Sequence, residues 1–390
     1  MLDLRPTALH MLCGMALLGC SSQALDASDE PTALGGTGGG AGSASTPVTL
    51  VEVYTPKTKT AFSATALAFN PTVEGELWVV LRQFPSGKPC TMDVDTGCSA
   101  LRGVMGVVSD ATSDAPTAVV KEDGNSWHFM RRPTAIAWGD EQLFSTCGEA
   151  VTDNYEDDAT PYAGPVLWSS DPSIFGVEPR PEQNGTHLDM LHETPLCMGL
   201  AHESANAFWA FNGLAGSLDR VDFHSPHPIG GEDHSDGEVH RYIQGQLART
   251  AEVPGHVAYD AARSLVYVAD TGHGRVLSVD PSTAVAGDDI AYYEKLQASG
   301  VMDGARVQEL VRPGLLQKPS GLALVGDVLY VTDNATSRIY VFDTRGKLEN
   351  TFDTALPPGS LAGIAVGPDA KLYVANLITG AAHRVEVALP

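Results

Sequence analysis

Pro319-Ser320-Gly321-Leu322-Ala323, followed by Leu329-Tyr330-Val331-Thr332-Asp333-Asn334 and then Arg338-Ile339-Tyr340-Val341-Phe342-Asp343, is the stretch that decides the fold class. It reads as three short strands rich in apolar, β-branched and aromatic residues, separated by turn formers. The first run recurs as Thr65-Ala66-Leu67-Ala68, Thr134-Ala135-Ile136-Ala137, Met198-Gly199-Leu200-Ala201, Gly255-His256-Val257-Ala258 and Ala362-Gly363-Ile364-Ala365, which makes six copies in all. A second apolar strand follows each copy: Leu77-Trp78-Val79, Leu143-Phe144-Ser145, Phe208-Trp209-Ala210, Val266-Tyr267-Val268, Leu329-Tyr330-Val331 and Leu372-Tyr373-Val374. Asn212, Asp270, Asp333 and Asn376 stand at the exit of that strand in the last four copies, whereas Leu81 and Cys147 stand there in the first two. Third strands are clearest at Arg275-Val276-Leu277-Ser278-Val279-Asp280, Arg338 to Asp343 and His383-Arg384-Val385-Glu386-Val387. A recurring unit of short strands implies a closed radial array, an all-β six-bladed propeller.

These motifs resemble six-bladed propellers of the NHL-repeat type, most strongly over residues 254–390. Long insertions interrupt the first three units. The last unit has three strands before the chain stops, while Val48-Thr49-Leu50-Val51-Glu52-Val53-Tyr54 is a strand with no unit of its own. That N-terminal strand is expected to supply the outer strand of the last blade and so remove a free sheet edge.

Residues 1–19 read as a targeting segment: Arg5 precedes an apolar run over 11–18, and Leu17-Leu18-Gly19-Cys20 resembles a bacterial lipoprotein processing box in which Cys20 is lipidated. Residues 20–47, with Gly35-Gly36-Thr37-Gly38-Gly39-Gly40, have the composition of a flexible tether, and 48–390 is the propeller. Ser21 and Ser22 after the cysteine resemble lipoproteins sent to the outer membrane. Contact with a membrane is expected only through the lipid. A net charge of −24 argues against nucleic acid as a partner, because phosphate contacts need clustered Lys and Arg. A monomer that binds a small ligand or a protein partner, without a nucleotide cofactor, is the expected form.

Cys90, Cys98, Cys147 and Cys197 are an even set in an exported chain and imply disulfides, for which sequence alone allows three pairings. Cys90 with Cys98 and Cys147 with Cys197 are the favoured pairs, against a thiolate metal site whose spacing matches no zinc pattern. Asp93-Val94-Asp95-Thr96-Gly97 resembles the start of a calcium loop but lacks its distal Glu, so a closed turn is expected there. The acidic run 153–158 reads as a solvated loop.

The densest polar cluster is Asp222-Phe223-His224-Ser225-Pro226-His227-Pro228-Ile229-Gly230-Gly231-Glu232-Asp233-His234-Ser235-Asp236-Gly237-Glu238-Val239-His240, with four of the twelve histidines and five carboxylates. It connects the third and fourth strands of the third unit, where hairpins ordinarily use about two to five residues. His224, His227, Asp233, His234, Asp236 and His240 are therefore candidate ligands for a divalent metal. Zinc, copper, iron or manganese suits imidazole with carboxylate, and calcium suits the oxygens alone. A solvated surface loop is the alternative reading.

His202 and His256 lie on inner strands and are candidate catalytic residues in a central channel, as metal ligands or general acid–base groups. Peptide-amidating lyases resemble this fold and carry zinc-binding histidines at inner-strand ends; His256 stands one position away from that place. Calcium-dependent lactonases of the gluconolactonase type would imply ligands among Asn212, Asp270, Asp333, Asn334 and Asn376. The residues themselves read as turn caps. The function expected is binding of a ligand, partner or divalent metal through the channel mouth and long loops; a metal-dependent lyase or hydrolase at the channel is the alternative.

Overall fold

The computed structural model describes residues 45–57, 62–83, 102–152, 162–177, 184–290 and 294–387. Cys20, the targeting segment, most of the tether, Cys90, Cys98, the 93–97 motif and the 153–158 run lie outside the described residues.

Six antiparallel sheets form the expected blades. From the inside outward, blade one is Phe62–Phe69, Leu77–Gln83, Gly103–Ser109 and Thr117–Lys121; blade two is Pro133–Trp138, Leu143–Gly148, Val166–Ser169 and His187–Met190. Blade three is Cys197–Ser204, Ala207–Asn212, Ser217–Asp222 and Glu238–Tyr242, and blade four is Val257–Asp260, Leu265–Asp270, Arg275–Asp280 and Arg306–Val311. Blade five is Pro319–Val325, Val328–Asp333, Arg338–Asp343 and Leu348–Asp353. Blade six is Leu361–Val366, Leu372–Asn376 and Ala382–Glu386, completed by Thr49–Tyr54, which lies antiparallel with Leu50 opposite Val385. Each innermost strand packs against that of the next blade, and the sixth against the first, so the ring is closed.

The small-residue position of the repeat follows from that closeness. A Cβ on Gly321 would stand 2.3 Å from the Ala362 carbonyl oxygen of blade six, so only glycine lets the inner strands meet there. The apolar residue that follows fills the space between blades: Leu67, Leu200, Leu322 and Ile364 are all buried. Second-strand aromatics make the next layer, Trp78 meeting Phe144 edge-on at 5.0 Å across blades one and two.

Exit residues cap turns. Asn212 Oδ1 accepts from the amides of Leu214 and Ala215, Asn376 Oδ1 from those of Ile378 and Thr379, and Asp333 Oδ1 from Ala335 and Lys318. Blades one and two lack that residue and are joined by ions instead. Arg82 (1% exposed) pairs with Glu149 (2% exposed) at 3.1 Å, and Glu149 also takes Arg249 at 2.6 Å and Arg132 at 3.5 Å. Cys147 and Cys197 form a disulfide that ties the second strand of blade two to the inner strand of blade three.

Two departures from the repeat occur among the described residues, and the second shapes the candidate site. Pairing begins at Thr46, ahead of residue 48: Thr46–Pro47 runs parallel to Leu348–Asp353 on the edge of blade five before the chain crosses to blade six. Blade four also sends an excursion to its neighbour between its third and fourth strands. Ala298–Asp303 adds in parallel to Glu238–Tyr242, and Val285–Ala286 pairs with it, giving blade three six strands and covering its outer edge.

Candidate metal centre

The histidine-rich connection of blade three docks on its neighbour. His227 N donates to Leu188 O and Gly230 N to His187 O, both at 2.9 Å, so the loop lies along the edge of the outermost strand of blade two. His187 sits on that strand where a bulge separates it from Asp189, and His192 follows the strand by two residues. The excursion from blade four brings Glu294 to the same place. Three segments distant in sequence thus converge at the outer junction of blades two and three.

Two triads of ligand-capable side chains result. The ligand atoms of His187, His227 and His234 lie within 4.8 Å of one another, and so do those of His192, His234 and Glu294. His234 belongs to both.

Second-sphere hydrogen bonds fix the ring nitrogens of the first triad. His187 Nδ1 is 2.9 Å from Asn184 O and His227 Nδ1 is 2.7 Å from Pro228 O; a carbonyl only accepts, so each Nδ1 carries the proton and each Nε2 keeps its lone pair. His227 Nε2 is buried with no hydrogen-bond partner, and so is His234 Nδ1. An unpartnered buried imidazole nitrogen costs free energy unless something occupies it. Packing holds the rings: Phe129 stacks on His187 at 3.8 Å and Tyr162 on His192 at 3.8 Å.

In the second triad Glu294 is held by His192, whose backbone N donates to Oε1 at 2.7 Å and whose Nδ1 meets Oε2 at 2.9 Å. His234 Nδ1 lies 3.4 Å from Oε2, an ion-pair separation without hydrogen-bond geometry. Burial works against the Glu294 charge, yet the hydrogen bonds from His192 and the nearby His234 imidazole prevail and hold the carboxyl down at about 2. Burial and then the neighbouring His227 and His234 push His187 down to about 3, and burial lowers His192 and His227. Burial also opposes charge on His234, but Glu294 raises it overall. Asp189, fully buried with Oδ2 unpartnered, is pushed up by burial to about 8.

Neutral imidazoles with one carboxylate suit zinc, copper, nickel or iron. They do not suit calcium, which takes six to eight oxygens. A tetrahedral zinc ion with Zn–N bonds of about 2.0–2.1 Å sets its nitrogens roughly 3.4 Å apart, so ligand atoms within 4.8 Å of one another draw together to hold it. A cavity of about 440 Å³ opens beside the cluster, lined among others by Phe129, Tyr162, His187, His192, His234 and Glu294. A larger one of about 570 Å³, by the outer strands of blades five and six, contains Glu349 and Glu386 but no histidine.

Of the ligands expected from sequence, the structure gathers His227 and His234. The others have different work. His224 Nε2 faces Glu238 at 3.4 Å, Asp233 accepts from Ser235 N, Asp236 accepts from Ser225 N, and His240 lies on the outer strand opposite Arg220. His187, His192 and Glu294 escaped the sequence reading. His187 opens a short strand and His192 follows it just ahead of Cys197, which is a weak signal, and Glu294 carries no local signal.

The two channel histidines do not meet in a triad among the described residues. His202 lies at the hairpin end of its strand, its Nε2 2.9 Å from Ala205 O. His256 is buried inside the ring, with Nε2 3.1 Å from Thr134 O of blade two. Its ring also fills space beside Gly363 of blade six, where a Cβ would come 3.1 Å from Cε1. Burial pushes its pKa down to about 4. The lactonase-like set Asn212, Asp270, Asp333, Asn334 and Asn376 is buried and spent on backbone hydrogen bonds and ion pairs.

No protein-family model matches the chain, and no curated protein matches it. Among solved structures it is similar to an auxiliary nutrient binding protein from Bacteroides thetaiotaomicron, at 11% identity over 83% of this chain and 69% of that one, with a TM-score of 0.51. An auxiliary nutrient binding protein from Bacteroides ovatus gives the same figures, 11%, 83%, 69% and 0.51. A calcium-binding protein, regucalcin, from Agrobacterium tumefaciens is 12% identical over 88% of this chain and 96% of its own, with a TM-score of 0.49. At these identities the two Bacteroides structures bear on fold alone, and that fold is the six-bladed propeller built above.

Proposed function

We propose that this protein is an exported metal-binding propeller that holds one transition-metal ion, zinc by preference, between blades two and three and uses the ion to bind a small polar ligand from the adjoining cavity. What carries the reading is the pair of carbonyl-anchored imidazoles, His187 and His227, whose Nε2 lone pairs face a third histidine inside a buried cluster. Three protein ligands leave a coordination position for a ligand or water. The propeller is of the NHL-repeat type, lipidated at Cys20, with residues 1–19 removed and a tether from Cys20 up to the Thr46–Pro47 strand, and works in the bacterial envelope as a monomer. A metal-dependent lyase or hydrolase remains the second reading, moved from the channel to the rim because the cavity adjoins the triads there.

Thermal unfolding of the soluble form beginning after Cys20, titrated with zinc or with calcium, tests this. Zinc at about 100 times its dissociation constant adds about 2.7 kcal/mol to stability, and calcium leaves the midpoint unchanged. Equal shifts with both ions, or none with zinc, contradict the reading.

A further inference from the structure

The two triads differ in exposure as well as in chemistry. The triads share the half-buried His234, and each adds a buried histidine on the cavity wall, His187 or His192; they differ in the third ligand, since Glu294 is half-buried and lines the cavity whereas His227 is buried and absent from its wall. An ion arriving from solvent therefore meets the triad that contains the carboxylate before the all-imidazole triad. One residue, His234, is common to both, so an ion can pass from one set to the other without leaving the protein. The carboxylate is the charged ligand, which attracts a hydrated cation, and its oxygens displace water readily; the nitrogen-only set behind it is the tighter one for a borderline-soft ion.

We propose that the cluster is a two-position site: a divalent transition-metal ion enters at His192 and Glu294, is held throughout by His234, and is handed to His187 and His227 by exchange of ligands. This rests on the metal-binding function proposed above. In the outer position the ion takes the place of the proton between His192 Nδ1 and Glu294 Oε2, which leaves to solvent, while the backbone N of His192 still donates to Oε1; a proton returns from solvent when the ion has moved inward, and no other covalent bond changes. Such a site loads and unloads a cargo ion through defined steps, which a single buried triad with one route through its own ligands does not offer.

Stopped-flow loading with cobalt(II), followed by its visible absorption, reads both positions, because exchanging a carboxylate for an imidazole shifts the bands. Two phases are expected in the unaltered protein, ending at one ion per chain. Glu294→Gln slows loading at least tenfold but leaves the final spectrum and the one-ion stoichiometry unchanged; His192→Gln does the same and serves if the first variant fails to fold. His227→Ala gives the fast phase alone, with an ion lost on gel filtration. Loading of both outer-position variants at the original rate overturns the proposal, and so does simultaneous binding of two ions, since His234 is then not passed between positions. Failure of the unaltered protein to retain any ion is a different result, which removes the metal-binding function itself.

Discussion

Blades four to six and blades two and three are built on one repeat but spend their polar residues differently. In the former, Asp270, Asp333 and Asn376 stand at matching strand exits and bind backbone amides. In the latter the exit residue is missing after blade two, and its place is taken by a disulfide and by the Arg82–Glu149 ion pair with its added arginines. The regular region leaves no cluster of ligand atoms among its described residues, whereas the irregular one, freed from two-residue hairpins, gathers four histidines and a glutamate. Regular repeats make the scaffold; the interrupted repeats bring together the candidate site.

The comparison can be broken by changing the substitutes for the missing caps. Glu149→Ala leaves Arg82 buried without its counter-ion, and a loss of about 3–5 kcal/mol by denaturant unfolding is expected. A loss under ~1 kcal/mol would show that the ion cluster is incidental to joining the blades. Cys147→Ser with Cys197→Ser opens a crosslink across 50 residues and should cost about 2–4 kcal/mol while leaving the far side of the ring, around Asp333, equally protected against hydrogen exchange.

His256 gives a pH test of the channel. Its native value, about 4, lies below the ordinary 6.5, so the unfolded chain takes up the proton first. The stability this residue contributes is complete above pH 6.5 and is lost as pH falls from 6.5 to 4, by about 3 kcal/mol in all. His187 and His192 add the same sign in any variant, so the quantity to measure is the difference between the unaltered protein and His256→Gln. Identical pH profiles would mean that His256 titrates normally and does not pack across the channel. Asp333→Ala, in the regular region, removes acceptors for three amides and should cost about 1–3 kcal/mol without altering metal retention. Smallest of all, His224→Ala and His240→Ala should leave both stability and metal retention within experimental error, since neither ring belongs to a triad.

The fold was legible because it is written in local periods. Each blade repeats the same alternation, and even the closing strand at Thr49–Tyr54 announced itself as a strand without a unit. Half of the site was legible for a different reason: the blade-three connection is too long and too rich in histidine to be an ordinary turn, which pointed to His227 and His234. Its other half depended on long-range pairing. Docking of the loop on the His187–Met190 strand, and the parallel addition of Ala298–Asp303 to blade three, are made by backbone groups that leave no side-chain pattern. Glu294 reaches the cluster only through that addition. The repeat placed the channel histidines on inner strands, but such placement says where a ring begins, not whether a partner waits opposite it. Glycine at 363 left His256 a packing space instead.

Metal content tests the central claim most directly. The soluble form beginning after Cys20, purified without chelators, should carry about one equivalent of zinc or another transition ion by mass spectrometry. That ion should be lost in His187→Ala with His227→Ala and kept in His202→Ala with His256→Ala. An ion that follows His202 and His256 instead, or no ion in any of the three proteins even after incubation with zinc, would contradict a metal centre between blades two and three.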